Sequence, residues 1–233
     1  MIRVFIGYDP NETVAYHVLA HSILRHAKAP ISVCPLRLSQ LPMTRERAEY
    51  QSTEFSFSRF LVPYLCGYRG QAIFMDCDLL AMADIAELMR LHDSCKAVSV
   101  VKHEYTPKPG DKFLGYKQAL YAKKNWSSVM IFENSLCGIL TPNVVDTASG
   151  LFLHQFKWLK DGSMIGSLPV EWNHLVGEYE PNPKAKLVHF TLGTPCFAKY
   201  ENCEFSKEWH EEKNRMLWYN RAGEFSRPEK ITA

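Results

Sequence analysis

The sequence predicts an α/β fold: a mostly parallel sheet flanked by helices, in a single domain with a short helical C-terminal tail. Three observations lead there. Short, continuously apolar runs such as "QAIFM" alternate along the chain with segments whose apolar residues recur at helical spacing. The 233 residues, 46% of them hydrophobic, are enough to bury a sizeable core. No internal repeat or low-complexity linker divides the chain, so the expected domain covers residues 1–205 and the tail 206–233.

Each element has its own reason. "IRVFIGYD" reads as the first strand, and "NETVAYHVLAHSILRHA" as a helix with Val14, Val18, Leu19 and Ile23 on one face and Asn11 as its cap. "PISVCPLRL" is a second strand. "SFSRFLVPYLCGY" is a helix ended by Gly67 and Gly70, with a kink at Pro63. "QAIFM" is a buried strand, followed by the helix "DIAELMRLHD", whose first turn suits Asp84. "KAVSVVK" and "SSVMIFEN" are two further strands, joined by a long Lys-, Tyr- and Pro-rich connection from His103 to Trp126. A connection of that length in a compact domain is usually functional or mobile, and its Tyr105, Tyr116 and Tyr121 read either as a stacking wall for a sugar or anionic ligand, closing over the site, or as part of an ordinary solvated loop. "TPNVVDTASGLFLHQFKWL" is helical in pieces, "KLVHFTLGTP" a late strand closing on His189, and "SKEWHEEKNRMLWYNRA" a charged helix carrying Trp209 and Trp218.

Charge and cysteine usage exclude some classes. A net charge of +2 with 22% charged residues gives no field suited to nucleic acid. The seven cysteines are scattered and form no CxxC pair, as expected of thiols in a reducing compartment. The opening "MIRVFIGYDP" is too short and too soon broken for a signal peptide or a membrane span, so the expected location is cytoplasmic.

The chemistry is concentrated in "FMDCDLL". At a strand's end, residues i and i+2 share a face, so Asp76 and Asp78 point the same way, with Cys77 facing away. Like charges that close call for a cation, and Mg²⁺ or Mn²⁺ takes carboxylate oxygens and shares its other positions with substrate phosphates. The same D-x-D also fits a haloacid-dehalogenase-like phosphatase, with Asp76 as nucleophile and Asp78 as acid. That class needs a later acidic pair, and the only doublet, Glu211–Glu212, sits in the charged C-terminal segment. His17 and His21 have i, i+4 spacing, but "HVLAH" lacks the glutamate of a zinc protease helix and reads as packing.

Several segments together resemble the retaining nucleotide-sugar glycosyltransferases of the GT-A fold, specifically glycosyltransferase family 8. They are "FIGYDPNETVAYHVLAHSIL", "FSRFLVPYL", "AIFMDCDLLAMADIAEL", "SSVMIFEN", "LPVEWNHL" and "VHFTLGTP", in the family's order from near residue 2 to about 195. The resemblance implies a Rossmann-like GT-A domain. It implies a hexosyltransferase of glycan biosynthesis that uses a UDP-sugar donor, Mn²⁺ or Mg²⁺, and a carbohydrate acceptor, free or lipid-linked. Asp76, Asp78 and His189 match the metal ligands, with Mn²⁺ favoured by the imidazole.

By the same resemblance Tyr8, Asp9, Asn11, Arg59, Cys77, Ser127, Ser128 and Gly193 fall on the donor side of the site. Arg59 and Asp161 join the aspartates as catalytic candidates, and Glu171 in "LPVEWN" is a weaker sugar-side match. Each has a plainer alternative: Asn11 or Asp9 as a helix cap, Arg59 as a solvated side chain, His189 as a core histidine. Two departures stand out. "NWSSVMIF" has Trp126, Ser127 and Ser128 where the family carries Asn, a small residue and Gly, with Asn125 shifted by one, and "GTPCF" lacks the family's diphosphate lysine, leaving the backbone amides of Gly193. They motivate a further alternative, a nucleotide- or carbohydrate-binding module without turnover. The tail's Trp209, Trp218 and Tyr219 set a peripheral membrane contact against a packed terminal helix.

Overall fold

The computed structural model describes residues 1–45, 51, 53–104 and 122–217. The main sheet is built from β1 (Ile2–Tyr8), β2 (Ile31–Arg37), β3 (Gln71–Met75), β5 (Val98–Val101), β6 (Val129–Glu133) and β7 (Ile165–Leu168). Its order is β2-β1-β3-β6-β5-β7. The β1–β2, β1–β3 and β5–β7 pairs are parallel, and only β6 runs against its two neighbours. A second sheet of three short strands, β4 (Leu79–Ala81), β8 (His174–Leu175) and β9 (Leu187–His189), has the order β4-β9-β8.

The central strands β3 and β6 are apolar without alternation because both faces are covered, while the edge strand β2 is only partly buried. β3 and β5 are buried almost throughout, and β1 is buried from Val4 to Gly7. Helix α1 (Thr13–His26) lays Val18, Leu19 and Ile23 against the sheets, while Val14 is exposed. Its entry differs from the expected Asn11 cap. A 3-10 turn over Pro10–Glu12 precedes the helix, and Asp9 caps that turn by accepting from the Asn11 amide. Asp9 wins because its extended backbone places the carboxylate over the amide two residues on.

The "FSRFLVPYL" segment is a 3-10 turn over Ser58–Leu61 running into the short helix α2 (Val62–Leu65). Pro63 sits in the first turn of α2, where its missing N–H costs nothing, so no kink results. In α3 (Ile85–Met89), Asp84 is the N-cap, accepting from Ala86. The pieces expected after Thr141 are α4 (Pro142–Thr147) and α5 (Gly150–His154), capped by Thr141 and Ser149.

Helix α6 (Ser206–Met216) returns across α1 and the second sheet. Trp209 is fully buried with Val18, Leu80, Val188 and Phe190, so it is a core residue and not a membrane-facing one. Trp218 and Tyr219 lie outside the described residues. Glu212 of α6 receives hydrogen bonds from Arg25 and pairs with His21 at 2.6 Å, which gives His21 its packing role. Among the described residues, no helix is long and apolar enough to cross a membrane.

Candidate active site

The site forms where the chain passes between the two sheets. β3 ends at Met75, β4 begins at Leu79, and Asp76-Cys77-Asp78 make the bend between them. The two aspartates therefore converge through a turn and not, as expected, through the pleat of one strand. Backbone contacts hold the turn on both sides. The Asp76 amide donates to the Ser128 carbonyl at 2.9 Å, and the Asp78 carbonyl accepts from the Phe190 amide at 2.9 Å.

Strand register explains each neighbour. β6 runs antiparallel to β3 with Val129 opposite Met75, so the residues entering β6 stand beside the exit of β3. β9 pairs with β4 so that His189 lies opposite Leu79, next to Asp78. A carboxylate oxygen from each aspartate and a ring nitrogen of His189 all lie within 4.8 Å of one another. His189 Nε2 is 3.3 Å from Asp78 Oδ1. Two carboxylates and one imidazole at this spacing fit a divalent cation such as Mn²⁺.

Arg59, far from being solvated, is buried, and its Nη1 stands 2.8 Å from Asp76 Oδ1 and donates to the Ser127 carbonyl at 2.9 Å. The guanidinium lies near the rings of Phe55 and Phe74, which confine it. Ser127 Oγ meets His154 Nδ1 at 2.8 Å, and burial, with Arg59 nearby, depresses the His154 pKa to about 3. Behind the turn lies Glu12, almost fully buried. Burial, then the charges of Asp78, Asp9 and Asp76, push its carboxyl well above the usual carboxylate range. Carboxyl groups of Asp9, Glu12, Asp76 and Asp78 thus crowd around the turn, opposed by the Arg59 cation at Asp76.

The remaining expected residues divide clearly. Asp9 is buried at the end of β1, and its two oxygens accept from the amides of Asn11 and Glu54, so its carboxylate braces the backbone. Asn11 is exposed beside it, and the Tyr8 hydroxyl meets Thr13 Oγ1. Cys77 turns its fully buried thiol toward Glu12. Ser128 Oγ donates to the Asn125 carbonyl at 2.6 Å. The Gly193 amide donates to the Phe190 carbonyl, closing its own turn, and is not a spare donor for a diphosphate.

Asp161 is not brought to the site. It is an exposed cap preceding β7, and β7 runs parallel to β5, so Asp161 belongs to the end of the sheet opposite the aspartates. Its carboxyl is held low by hydrogen bonds from Ser163. Glu171 lies in a 3-10 turn where its carbonyl accepts from the Lys186 amide. Tyr105, Tyr116 and Tyr121 lie outside the described residues.

Three buried or half-buried groups escaped the sequence reading: Asn173, His103 and Tyr179. Asn173 Oδ1 faces His189 Nδ1 at 3.0 Å, Asn173 Nδ2 faces His103 Nε2 at 2.9 Å, and His103 Nδ1 faces the Tyr179 hydroxyl at 2.7 Å. Burial, then the neighbouring His189, lowers the His103 pKa to about 3. The "WN" of "LPVEWNHL" was the available signal for Asn173. Nothing local marks His103 or Tyr179.

No protein-family model matches the chain. Protein CDI of Arabidopsis thaliana is 44% identical over 233 residues, covering 94% of this chain and 87% of that protein. Among solved structures, the WbbM bifunctional glycosyltransferase superposes with a TM-score of 0.64 at 16% identity over 93% of this chain. This chain spans only 50% of WbbM's length. Galactosyltransferase LgtC, solved with donor and acceptor sugar analogues, superposes with a TM-score of 0.57 at 9% identity, covering 95% of this chain and 98% of LgtC. The architecture is therefore the GT-A fold.

Proposed function

The chain belongs to the family of Protein CDI, and on that premise we propose that it is a metal-dependent glycosyltransferase. It moves a hexose from a UDP-sugar to a carbohydrate hydroxyl with retention of anomeric configuration. The observation that carries this reading is the convergence of Asp76, Asp78 and His189 in the turn between two sheets of a GT-A fold. LgtC, with its bound sugar analogues, supports a sugar donor and a sugar acceptor for this chain as well.

Asp76, Asp78 and His189 would hold the divalent ion, which when bound supplies Lewis-acid stabilisation of the departing diphosphate. The chain's own residues prepare that site. Arg59 fixes the rotamer of Asp76 and offsets part of the carboxylates' negative charge. The Ser128 carbonyl and the Phe190 amide clamp the turn from either side, so the carboxylates are set before a ligand arrives. Transfer with retention requires no dedicated base from the chain. This agrees with front-face attack, in which the departing phosphate oxygen takes the acceptor's proton.

The phosphatase alternative is disfavoured by the same geometry. Asp76, its required nucleophile, is held by Arg59, and a histidine completes the cluster in place of a further acidic pair. A thermal-shift panel of nucleotide diphosphate sugars with and without Mn²⁺ tests the proposal. Stabilisation by one UDP-sugar that requires Mn²⁺ is expected. Mg²⁺-dependent release of phosphate from simple phosphomonoesters, with no response to nucleotide sugars, would refute it.

A further inference from the structure

We propose that Asn173, backed by His103, fixes the ring tautomer of His189 so that its Nε2 lone pair faces Asp78. Both are then positioning residues for the cation site, a role that rests on the metal reading above. The hydrogen-bond arithmetic leaves one arrangement. The Asn125 carbonyl can only accept, and it lies 3.4 Å from Asn173 Nδ2. Ser128 Oγ already uses its hydrogen on that carbonyl at 2.6 Å, so it accepts from Asn173 Nδ2 at 2.8 Å. The amide nitrogen of Asn173 is therefore committed to this side, and its second hydrogen points to His103 Nε2 at 2.9 Å.

The consequences run in both directions. His103 Nε2 accepts, so its hydrogen is on Nδ1 and goes to the Tyr179 hydroxyl at 2.7 Å. Asn173 Oδ1, left facing His189 Nδ1 at 3.0 Å, can only accept, so that nitrogen carries the hydrogen. In the neutral ring Nε2 then presents a lone pair 3.3 Å from a carboxylate oxygen. Two acceptors that close repel, and a cation shared between them removes the repulsion. Asn173, His174 and His189 are all nearly or fully buried, and β8 pairs with β9 so that Leu175 lies opposite His189. The orientation of Asn173 is thus set by the second sheet and by the entry to β6, independently of any ligand.

The test has two readouts. Nitrogen-15 NMR of histidine-labelled, metal-free protein at about pH 8, where an imidazole is ordinarily neutral, should show His189 protonated at Nδ1 in the wild type. The Nε2–H form there would overturn the proposal without recourse to any variant. Manganese titration followed by electron paramagnetic resonance should show Asn173→Ala binding Mn²⁺ about 10–100-fold more weakly than wild type, the range for removing an outer-shell partner. Asn173→Asp, which keeps the acceptor for His189, should stay within about threefold of wild type by the same reasoning, and His103→Leu should fall between the two. Folded Asn173→Ala that binds Mn²⁺ as wild type does, with His189 still protonated at Nδ1, would refute the role. A wild type with the expected tautomer but no Mn²⁺ binding would support the relay and overturn the metal reading instead.

Discussion

The Arg59 guanidinium lies 2.8 Å from Asp76 Oδ1 and also donates to the Ser127 carbonyl, so one buried cation ties the acidic turn after β3 to the entry of β6. Its partner's side chain is only 15% exposed, so solvent screens the pair weakly. Removing one member of such a pair leaves the other charge without compensation.

Arg59→Ala should therefore cost about 3 kcal/mol or more of unfolding free energy by chemical denaturation, and should abolish turnover. Arg59→Lys keeps the charge but not the planar guanidinium, whose Nη1 meets Asp76 and Ser127 while its Nε donates to the Phe55 carbonyl. It should recover most of the stability while remaining at least about tenfold slower in kcat, since a misplaced carboxylate costs transition-state stabilisation. Equal stability of Arg59→Ala and wild type would contradict the ion-pair assignment.

Gly7 in β1 is needed for close packing. A Cβ built there would run into the Phe55 ring, which itself packs near Phe74 and Arg59. Gly7→Ala should lower stability by about 1–3 kcal/mol through overpacking. A melting temperature equal to wild type would show that Phe55 has room to move.

The α6–α1 contact rests on Glu212, whose side chain is 2% exposed between Arg25 and His21. Burial raises its carboxyl, but hydrogen bonds from Arg25 and His21 more than offset that, and its pKa is lowered. Glu212→Ala should cost about 1–3 kcal/mol, below the range for a wholly buried pair because Arg25 is 36% exposed. Hydrogen exchange confined to α6 should rise with it. Unchanged exchange in α6 would show that Trp209 alone holds the helix.

The acid limb of stability has a predicted sign. His103 and His154 titrate near 3 in the folded chain, below the ordinary histidine value of 6.5. Between those values the unfolded chain binds more protons, so stability falls as pH drops through that window. The slope contributed is at most about 1.4 kcal/mol per pH unit for each histidine. His154→Gln, which can still meet Ser127, should flatten the curve between about pH 6 and 4 by up to that amount. An unaltered slope would mean that His154 does not stay neutral in the fold.

Much of this arrangement was legible in the chain. Strands β1, β3, β5 and β6 announced themselves as buried apolar runs, and the D-x-D announced the acidic turn, because both signals are local. β4 and β8, with three and two residues, are too short to show any period, and β7 is interrupted by Gly166. Missing them hid the second sheet, and with it the bend that brings Asp76 and Asp78 together. Asp161 was misplaced for a related reason: its spacing from "LPVEWN" says nothing about which end of β7 it occupies. Asn173, His103 and Tyr179 were invisible because they meet only through the pairing of β8 with β9 and the fold of the chain around His103. Arg59 could be matched, but its partner could not be read from one sequence.

In the proposed function Asp76, Asp78 and His189 hold a divalent ion that serves transfer from a nucleotide sugar. The most direct test is release of UDP from UDP-galactose and UDP-glucose by metal-stripped protein, with and without added Mn²⁺, for wild type and Asp78→Asn side by side. At least one donor should be hydrolysed or transferred only when Mn²⁺ is present, and Asp78→Asn should lose about 100-fold or more of that rate while remaining folded, as expected when a metal ligand is removed. Turnover that is indifferent to Mn²⁺, or equal in Asp78→Asn and wild type, would contradict it.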